Sequence, residues 1–399
     1  IHILFRKRIE LMKSILFYIA RYPGYGGIEN VTTLLANYLS SEKHYKVSIL
    51  SCHQQAEEEL LPKLHTNVNF FKLPDPNHIN TVENQNYYNQ IIIDEHINTI
   101  IYQDSYYPNE HLLFNTSNRK RIKIICVEHS APNNGLISIR QAIKQNPWYN
   151  LYTYAKIFYF HGMGILKMKK RKQLLYAYCD KYVVLSPGYV PIFMKMNNLT
   201  NNDKIEVIGN PISISLLNKM PAKEKICLFT GRFTSSKGIL HLLDIWKKIE
   251  QIPNCKDWKL IMVGDGEQRN EIEAYIHNDH LTRVQLEGFK KEVAPYYQKA
   301  SLFLMTSIFE GFPLTLPEAM GNGVVPVVFN SFAAIPDIID SDVNGILIPP
   351  FNKEIFINRL SALMQNRNEI NRLAQNALKK AQEFSQSTIW AKWNKLLEE

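Results

Sequence analysis

The chain has 399 residues, of which 45% are hydrophobic, and its formal net charge is +9. This length is too great for one ordinary core and predicts two domains of about 150–200 residues each. The basic balance favours acidic partners, namely nucleotide phosphates, nucleic acid or an anionic membrane surface, and does not choose among them.

The cysteines argue against a metal-stapled or disulfide-stapled protein. All five stand singly, without a C-x-x-C pair, so neither a structural zinc site nor a disulfide framework is expected, and a reducing cytoplasm fits. No run of about 18 apolar residues predicts a transmembrane helix. The chain begins at Ile1, and we expect Met12 to be the natural start, with residues 1–11 as an extension.

Both halves of the chain alternate strand-like and helical segments, which predicts parallel βαβ units. Helical spacing follows the first predicted strand in GGIENVTTLLANYLSS, and also marks Gly238–Glu250 and Glu267–His277. In the first half the predicted strands are KSILFYIA, YKVSIL, NTIIYQD, IKIICVEH and KYVVLS. In the second half they are KICLFTG, KLIMVGDG, RVQLEGF, ASLFLMTS, VVPVVFN and GILIPP.

The segment GNPISISLLNKMPAKEK, residues 209–225, carries two prolines and interrupts this alternation. We therefore predict a first domain over 1–210, a linker over 211–224 and a second domain over 225–383. The tail FSQSTIWAKWNKLLEE is typical of an amphipathic helix. Ligands of doubly wound sheets bind outside the carboxyl ends of the strands, so the strand-end loops are expected to carry the chemistry.

Two strand-end loops of the first half contain candidate residues. In PGYGGIEN, Gly24, Gly26 and Gly27 would let the backbone approach a ligand, and the next helix would favour an anion at its start. A tight strand-to-helix turn is the alternative. In CVEHSAP, His129 follows a strand and would donate or accept a hydrogen bond near a reacting group, or serve a structural role.

A loop of the second half, FTGRFTSSKG, places Arg232 and Lys237 after a strand. A planar guanidinium and a point charge suit a diphosphate, whereas two solvated surface cations are the alternative. The acidic pair in VGDGEQ is interpreted as a turn after a strand and the pair in Asp340–Asp342 as a loop before a strand, so no metal site is expected.

The stretch FEGFPLTLPEAMGNG places Glu310 and Glu318 at the two ends of an apolar loop that leads into a helix. The helix start would aim the amides of Leu314, Thr315 and Leu316 at a phosphate. Two flanking carboxylates suit hydroxyl groups, those of a sugar and of a ribose. The alternative is that Thr315-x-x-Glu318 is a capping box that only begins the helix.

The pattern E-G-F-P-L-T-L-P-E-A-M resembles the E-x7-E signature of the large retaining group of glycosyltransferases numbered family four, also called glycosyl transferases group 1. The resemblance covers nearly the whole chain, through GGIEN, EHS, GNPIS, GRFTSSKG, LIMVGDGEQ and LEGF. It implies an α/β protein of the GT-B fold, with two doubly wound, Rossmann-like domains facing across a cleft. The C-terminal helix, residues 384–399, would pack back on the first domain.

The resemblance also implies roles for the candidate residues. Arg232 and Lys237 would hold the donor diphosphate, Glu318 the nucleotide ribose, and Glu310 the hydroxyls of the donor sugar. His129 would lie near that sugar. Two further contacts are implied: the backbone of Phe289–Lys290 with the base, and Gly26–Gly27 with the diphosphate or the acceptor. The chain departs from the commoner pattern at Pro313, where glycine is frequent, which leaves the donor sugar open.

The implied activity is transfer of a hexose, with retention, from a UDP- or GDP-sugar to a saccharide or lipid-linked acceptor in bacterial surface polysaccharide biosynthesis. No cofactor and no metal would be needed, because two cations receive the diphosphate. The alternatives are a nucleotide-sugar epimerase of the same architecture and a basic protein that binds membrane or nucleic acid; we do not expect nucleic acid as a partner.

The stretch Leu151–Tyr178 combines aromatic residues with the basic run Lys167–Lys172. This composition favours a helix on an anionic membrane surface and a cytoplasmic enzyme at the inner face of the membrane. A solvated helix face is the alternative.

Overall fold

The computed structural model describes residues 13–24, 26–53, 64–104, 109–137, 151–217 and 221–399. The expected start at Met12 and the expected extension, residues 1–11, lie outside these ranges. The chain divides into two compact units. The first comprises Ile1–Leu185 and Val190–Ile208, and the second comprises Ser186–Tyr189 and Gly209–Glu399.

The first unit is built on a parallel sheet whose described strands lie in the order β3-β2-β1-β4-β5-β6-β7. These strands are β1 (Ser14–Arg21), β2 (Lys46–His53), β3 (Val68–Lys72), β4 (Thr99–Asp104), β5 (Lys123–Glu128), β6 (Lys181–Val184) and β7 (Ile205–Val207). The described helices are α1 (Gly27–Ser41), α2 (Val82–Asp94), α3 (Glu110–Phe114), α4 (Leu151–Tyr178) and α5 (Tyr189–Asn197), with a 3-10 turn at Arg119–Arg121.

The second unit repeats the scheme, with the parallel order β10-β9-β8-β11-β12-β13. Its strands are β8 (Ile226–Thr230), β9 (Lys259–Val263), β10 (Val284–Gly288), β11 (Leu302–Met305), β12 (Val325–Phe329) and β13 (Ile346–Ile348). Its helices are α6 (Ile239–Glu250), α7 (Arg269–Asn278), α8 (Ala294–Lys299), α9 (Thr315–Gly321), α10 (Ile335–Ile338), α11 (Lys353–Met364), α12 (Arg367–Ala381) and α13 (Gln386–Glu398). Short 3-10 turns lie at Ser235–Lys237, Pro253–Cys255 and Gln382–Phe384.

Every predicted strand forms, and two strands that were not predicted, β3 and β7, complete the first sheet at its two edges. Both are short and only partly buried, with the sequences VNFFK and IEV. An edge strand has a neighbour on one side only and needs no long apolar run, so its sequence signal is weak. The central strand β1 is buried along nearly its whole length, as expected for a sheet covered on both faces.

Helix α6 shows why the second unit is well packed. Its buried positions include Leu242, Trp246 and Ile249, which recur at the helical period and form one apolar face. That face belongs to a core that also takes in Leu260 from β9 and Phe356 from α11. Each large side chain withdrawn fully from water contributes about 1.5–3 kcal/mol to the free energy of folding.

The described part of the predicted linker is anchored within the second unit. The amide of Leu217 donates to the carbonyl of Gly321 (3.1 Å), and the amide of Ile212 donates to the carbonyl of Phe384 (2.9 Å). The side-chain amide of Gln386, the first residue of α13, donates back to the carbonyl of Ile212 (3.3 Å). The tail is thus a helix, as predicted, and is grouped with the second unit; its packing on the first domain stays a prediction.

Candidate functional site

The strand order of the second sheet indicates where a ligand site is expected. The chain runs from β8 outward to β10 in one direction and then from β11 to β13 in the other, so β8 and β11 are neighbours at the point of reversal. In open parallel sheets the crevice for a ligand opens at this switch point, beyond the carboxyl ends of the two strands. The loop after β8 carries Arg232 and Lys237, and the loop after β11 carries Glu310.

A glycine brings these two loops into contact. The 3-10 turn Ser235–Lys237 is followed by Gly238, which has φ of 61° and is the N-cap residue of α6. A β-carbon at Gly238 would lie 2.2 Å from the carbonyl oxygen of Thr306, just after β11. Only a glycine tolerates both this close approach and the left-handed backbone. Lys237 is therefore held against the loop that contains Glu310.

Lys237 and Glu310 form an ion pair, with the ammonium nitrogen 2.7 Å from the carboxylate Oε2. The other carboxylate oxygen accepts from the Ser307 hydroxyl (2.7 Å), and the backbone carbonyl of Glu310 accepts from the Tyr189 hydroxyl (2.7 Å). Both charged side chains are partly shielded, with 19% and 13% of their surfaces exposed. Arg232 lies in the same loop as Lys237 and is exposed.

Glu318 is held differently from Glu310, by hydroxyl groups. Its Oε1 accepts from the Ser213 hydroxyl (2.5 Å) and its Oε2 from the Tyr297 hydroxyl (3.4 Å). Burial raises the pKa of Glu318, while the bonds from Ser213 and Tyr297 oppose that rise. Helix α9 begins at Thr315 with no side-chain cap, so the capping-box alternative for Glu318 was wrong.

Two of the three amides that were expected to face a phosphate at the start of α9 are hydrogen-bonded to the loop before it. The amide of Leu314 donates to the carbonyl of Phe312 (3.0 Å), and that of Leu316 to the carbonyl of Pro313 (2.9 Å). Both amides thus donate to carbonyls of the loop and not to a phosphate, because short turns precede the helix. The predicted role of the Thr315 amide stays a prediction.

The loop after β9 lies next to the loop after β8, and the end of β10 lies next to the loop after β9. Gly264 has φ of 149°, and a β-carbon there would lie 1.9 Å from the carbonyl oxygen of Gly231. Phe289, directly after β10, is 55% exposed, and the Lys290 ammonium lies 3.7 Å from the Glu287 carboxylate. The expected contact of the Phe289–Lys290 backbone with a base stays a prediction.

Both acidic pairs lie in loops outside the helices and strands, as expected. Asp265 accepts from the amide of Gly266 (2.8 Å) and lies 3.3 Å from Arg269, while Asp342 pairs with Arg359. Within the ranges that the structure describes, no group of three or more acidic, histidine or cysteine side chains could hold a metal ion.

In the glycine loop of the first unit, Gly26 is the N-cap residue of α1, and Gly27 is its exposed first residue. A β-carbon at Gly26 would lie 2.1 Å from Oε2 of Glu29, and one at Gly24 would lie 3.0 Å from its Oε1. The carboxylate of Glu29 thus folds back over the loop and occupies the position expected for an anion at a helix start.

His129 follows β5, as predicted, and its Nε2 is hydrogen-bonded to the side-chain carbonyl of the buried Gln103 at the end of β4. The neighbouring Glu128 forms a buried ion pair with Lys172 and accepts from the hydroxyls of Ser130 (2.6 Å) and Tyr182 (3.1 Å). This cluster fixes the carboxyl end of β5 and hence the backbone that carries His129.

The basic run of α4 divides into buried and outward-facing members. Arg171 pairs with Glu110 (2.7 Å) and also donates to the Tyr102 hydroxyl (2.9 Å), and Lys172 pairs with Glu128. These two cations are 9% and 8% exposed, so the expectation that the whole run faces a membrane was wrong for them. Among the described helices, none has the length and apolar content needed to cross a bilayer.

Sequence reasoning missed four residues that shape the site: Ser213, Thr230, Tyr297 and Ser307. Ser213 lies in the motif GNPIS, which signalled family resemblance but no role. Thr230 ends β8 directly before the loop that carries Arg232 and Lys237, and its hydroxyl lies 2.7 Å from that of Tyr297. Tyr297 and Ser307 carry no local pattern, because their contacts join segments distant in sequence.

Residues 217–380 match the family model described as glycosyl transferases group 1. The amylovoran biosynthesis glycosyltransferase AmsD of Erwinia amylovora is 28% identical to this chain over 235 residues, which cover 58% of this chain and 65% of that protein. The aligned part therefore spans slightly less than two thirds of the length of this relative.

Solved structures show the fold. The lipopolysaccharide outer core galactosyltransferase WaaB, in its apo form, has a TM-score of 0.69 with 17% identity, and the match covers 96% of this chain and 98% of that one. Alr3699/HepE of Anabaena, in complex with UDP-glucose, has a TM-score of 0.68 with 17% identity, covering 96% of this chain and 100% of that one. The predicted GT-B fold is thereby confirmed.

Proposed function

Because the chain belongs to the group 1 glycosyltransferases, with its match at residues 217–380, we propose that it transfers a hexose from a nucleoside-diphosphate sugar to a saccharide or lipid-linked acceptor. The observation that carries the proposal is the ion pair of Lys237 with Glu310 at the switch point of the second sheet. That pair sets a cation for phosphate beside a carboxylate for hydroxyls, the two chemistries that a nucleotide sugar presents.

The donor is a UDP- or GDP-sugar in this proposal. Lys237 and the exposed Arg232 bind the diphosphate, Glu318 accepts hydrogen bonds from the ribose hydroxyls, and Glu310 accepts from the sugar hydroxyls. The Anabaena relative binds UDP-glucose, which supports a nucleotide sugar as the donor class. Pro313 offers no backbone N–H to the sugar, in contrast to the glycine frequent at that position in the family.

Transfer proceeds with retention at the anomeric carbon. The bond from that carbon to the diphosphate oxygen breaks, and an acceptor oxygen bonds to the carbon from the same face. The proton of the acceptor hydroxyl passes to the departing phosphate oxygen, so the diphosphate acts as the base. Negative charge that grows on the diphosphate is received by Lys237, which the ion pair with Glu310 already holds at the switch point, and by the exposed Arg232.

Two cations in this position also support an enzyme that works without a metal. They would supply the charge that a divalent ion supplies elsewhere. His129 would contribute from the first unit, close to the donor sugar, as the family resemblance implies.

The acceptor belongs to a bacterial surface glycan in this proposal. Of the relatives, AmsD is described as acting in amylovoran biosynthesis and WaaB as acting on the lipopolysaccharide outer core, which supports that setting. A lipid-linked acceptor would be met at the cytoplasmic face of a membrane.

The outer face of α4 suits an anionic membrane surface. Tyr159, Met163, Leu166 and Leu174 are exposed large apolar side chains that recur at spacings of three, four and eight residues, so they lie on one side of the helix. The exposed Lys167 and Lys170 lie on or beside that side. Apolar groups flanked by lysines enter the interface of a bilayer while their charges meet anionic lipid.

The test is a transfer assay with radiolabelled UDP- and GDP-sugars, run with and without lipid-linked saccharides, each in the presence and absence of EDTA. The proposal is supported in full if radiolabelled sugar is transferred only when acceptor is present and if this transfer continues in EDTA. Interconversion of the donor without acceptor would identify an epimerase instead. Loss of transfer in EDTA with recovery in Mg²⁺ would overturn the metal-independent part alone.

A further inference from the structure

The carboxylate of Glu318 is surrounded by hydroxyl groups that form a chain through the second unit. Ser213 donates to one oxygen at 2.5 Å, and Tyr297 donates to the other at 3.4 Å. The Tyr297 hydroxyl in turn lies 2.7 Å from the hydroxyl of Thr230. Tyr297 is completely buried, and Thr230 and Glu318 are 6% and 8% exposed, so these bonds form away from bulk water.

The protons in this chain have a definite direction. An ionised carboxylate only accepts hydrogen bonds, so the Tyr297 proton points to Glu318 and the Thr230 proton points to Tyr297. Each hydroxyl has one proton to donate, and both are then used. The tyrosine therefore has one favourable orientation, and it fixes one side of the carboxylate.

The hydrogen-bond partners of Glu318 are neutral, so no cation offsets the charge of its ionised form, in contrast to Glu310, which lies beside the Lys237 ammonium. A carboxylate offers about four acceptor positions, and the two hydroxyls do not exhaust them. Hydrogen bonds to a charged acceptor are about twice as strong as neutral ones. Glu318 is thus suited to accept further hydroxyl groups, provided that its orientation is fixed.

The position of Thr230 connects this series of hydrogen bonds to a second part of the proposed site. It is the last residue of β8 and directly precedes Gly231 and Arg232 of the loop proposed to bind diphosphate. Tyr297, in α8, therefore ties the carboxylate on α9 to the strand that carries the diphosphate loop. Tyr297 thus links the proposed ribose contact to the strand that precedes the proposed phosphate contact.

We infer that Tyr297 and Ser213 are positioning residues, which orient the Glu318 carboxylate so that it accepts hydrogen bonds from the ribose diol of a nucleoside diphosphate. The inference rests on the proposed function and assigns to two residues of α8 and the linker a part in donor recognition. Neither residue touches the nucleotide in this account; both act through Glu318.

The experiment measures binding of UDP and GDP, and of their 2′-deoxy forms, to the full-length protein by titration calorimetry. In the wild type, the preferred ribonucleotide should bind more tightly than its deoxy form. Tyr297→Phe keeps the buried ring and removes only the hydroxyl. We expect it to weaken ribonucleotide binding about five- to tenfold, to leave deoxynucleotide binding nearly unchanged, and so to reduce discrimination between them.

Ser213→Ala should act in the same direction, and Ser213→Thr, which retains the hydroxyl, should restore the discrimination. This pair keeps the inference testable if Tyr297→Phe does not fold. The matched control is Tyr275→Phe, because the Tyr275 hydroxyl also donates to a carboxylate, that of Asp244 (2.6 Å), on other elements of the same unit. Its ratio of ribonucleotide to deoxynucleotide affinity should equal that of the wild type.

The outcomes distinguish a failure of the proposed function from a failure of the positioning role of Tyr297 and Ser213. If the wild type binds neither UDP nor GDP, the proposed function falls, and this inference falls with it. If it binds one of them while Tyr297→Phe and Ser213→Ala keep the wild-type discrimination, the positioning role is overturned and the proposed function stands. Equal losses for ribonucleotide and deoxynucleotide would also overturn the inference, because a purely structural role predicts them.

Discussion

The ammonium of Lys237 lies 2.7 Å from the carboxylate of Glu310, and the two residues come from adjacent loops at the reversal of the second sheet. The cation proposed to bind diphosphate is thus partly neutralised by the carboxylate proposed to bind sugar. A bound diphosphate must therefore compete with Glu310 for Lys237. Because of this competition, we expect replacement of Lys237 to weaken nucleotide binding and replacement of Glu310 not to weaken it.

We expect Lys237→Ala to weaken binding of UDP or GDP about 10- to 100-fold, the loss of a hydrogen bond to a charged group. Glu310→Gln should leave that affinity unchanged or increase it, because Lys237 loses its competing carboxylate, while turnover falls. Calorimetry and initial rates measure the two effects. Lys247→Ala, which removes an ion pair with Asp279 (2.6 Å) elsewhere in the unit, serves as the control. Weaker nucleotide binding by Glu310→Gln would contradict the competition.

Nucleotide binding should depend on pH through Glu318. Burial raises its pKa, so the carboxylate takes up a proton at a higher pH than an ordinary glutamate does. Affinity that needs the ionised form is then lost as the pH falls through this raised pKa. The phosphate groups also titrate, so the measurement is the difference between wild type and Glu318→Gln, which lacks this step. Parallel pH profiles for the two proteins would count against a role for the carboxylate.

The same raised pKa sets the sign of the effect of Glu318 on stability. Glu318 binds a proton more tightly in the folded than in the unfolded protein, so its contribution to stability is present at low pH and is lost as the pH rises through the folded pKa. Glu318→Gln should therefore be at least as stable as the wild type at neutral pH, while it binds nucleotide poorly. A large fall in its melting temperature with unchanged nucleotide affinity would instead indicate a structural role.

Lys223 gives a second pH dependence, in the stability of the second unit. Its ammonium donates to the carbonyls of Tyr297 (2.8 Å) and Asn322 (2.6 Å), and burial, aided by Arg367, lowers its pKa to about 7. The unfolded chain keeps this proton up to about pH 10.4. Between these values the unfolded state binds the extra proton, so the free energy of unfolding rises with pH.

Lys223→Met should lack this rise, which urea unfolding between pH 7 and 9.5 would measure. Lys225→Met is the matched control, because Lys225 is 57% exposed and pairs with Asp257 at the surface. If the wild type and Lys223→Met show the same slope of stability against pH, Lys223 stays protonated in the fold.

Vesicle binding tests the outer face of α4. The triple replacement of Lys167, Lys169 and Lys170 by Gln should reduce sedimentation with anionic vesicles, by about 1 kcal/mol for each lysine near the surface. Binding by the wild type should also weaken as salt rises, since screening shortens the reach of the charges. A wild type that ignores anionic vesicles at low salt would exclude this surface as a membrane contact and favour a soluble acceptor.

Lys172, which lies in the same basic run but is buried, should instead affect the stability of the fold. Lys172→Gln leaves the buried Glu128 without its cation, and we expect a loss of about 3–5 kcal/mol in the free energy of unfolding. Lys170→Gln, two positions earlier on an exposed side, should change it by no more than about 0.5 kcal/mol. Denaturant unfolding of both variants gives the comparison; equal stabilities would show that the pair with Glu128 contributes little.

The sequence predicted the parts of the fold that depend on local pattern. Buried parallel strands such as β1 are continuous apolar runs, and glycines such as Gly238 mark the loops after them. It failed where partners come from distant segments. The local pattern Thr315-x-x-Glu318 suggested a cap, but Ser213 and Tyr297, brought to the same point by the fold, bind the carboxylate instead.

The basic run of α4 shows the same limit. Its charges are continuous in sequence, yet a helix turns 100° per residue, so neighbours such as Lys170 and Arg171 need not share a side. The acidic residues that pair with Arg171 and Lys172 lie on α3 and β5, about 45–60 positions earlier. No local sequence pattern predicts these pairs.

The hydrogen bond from Ser213 to Glu318 determines where this protein can be cut and rejoined. Experiments that exchange donor halves between related enzymes need a junction, and both the start of the family match at residue 217 and the start of β8 invite one. Either junction would take Ser213 from one parent and Glu318 from the other. Ile212, which is bonded to Phe384 and Gln386, would be separated from the tail in the same way. A chimera should therefore be joined before Gly209, so that the serine, its carboxylate and the tail are inherited as one block.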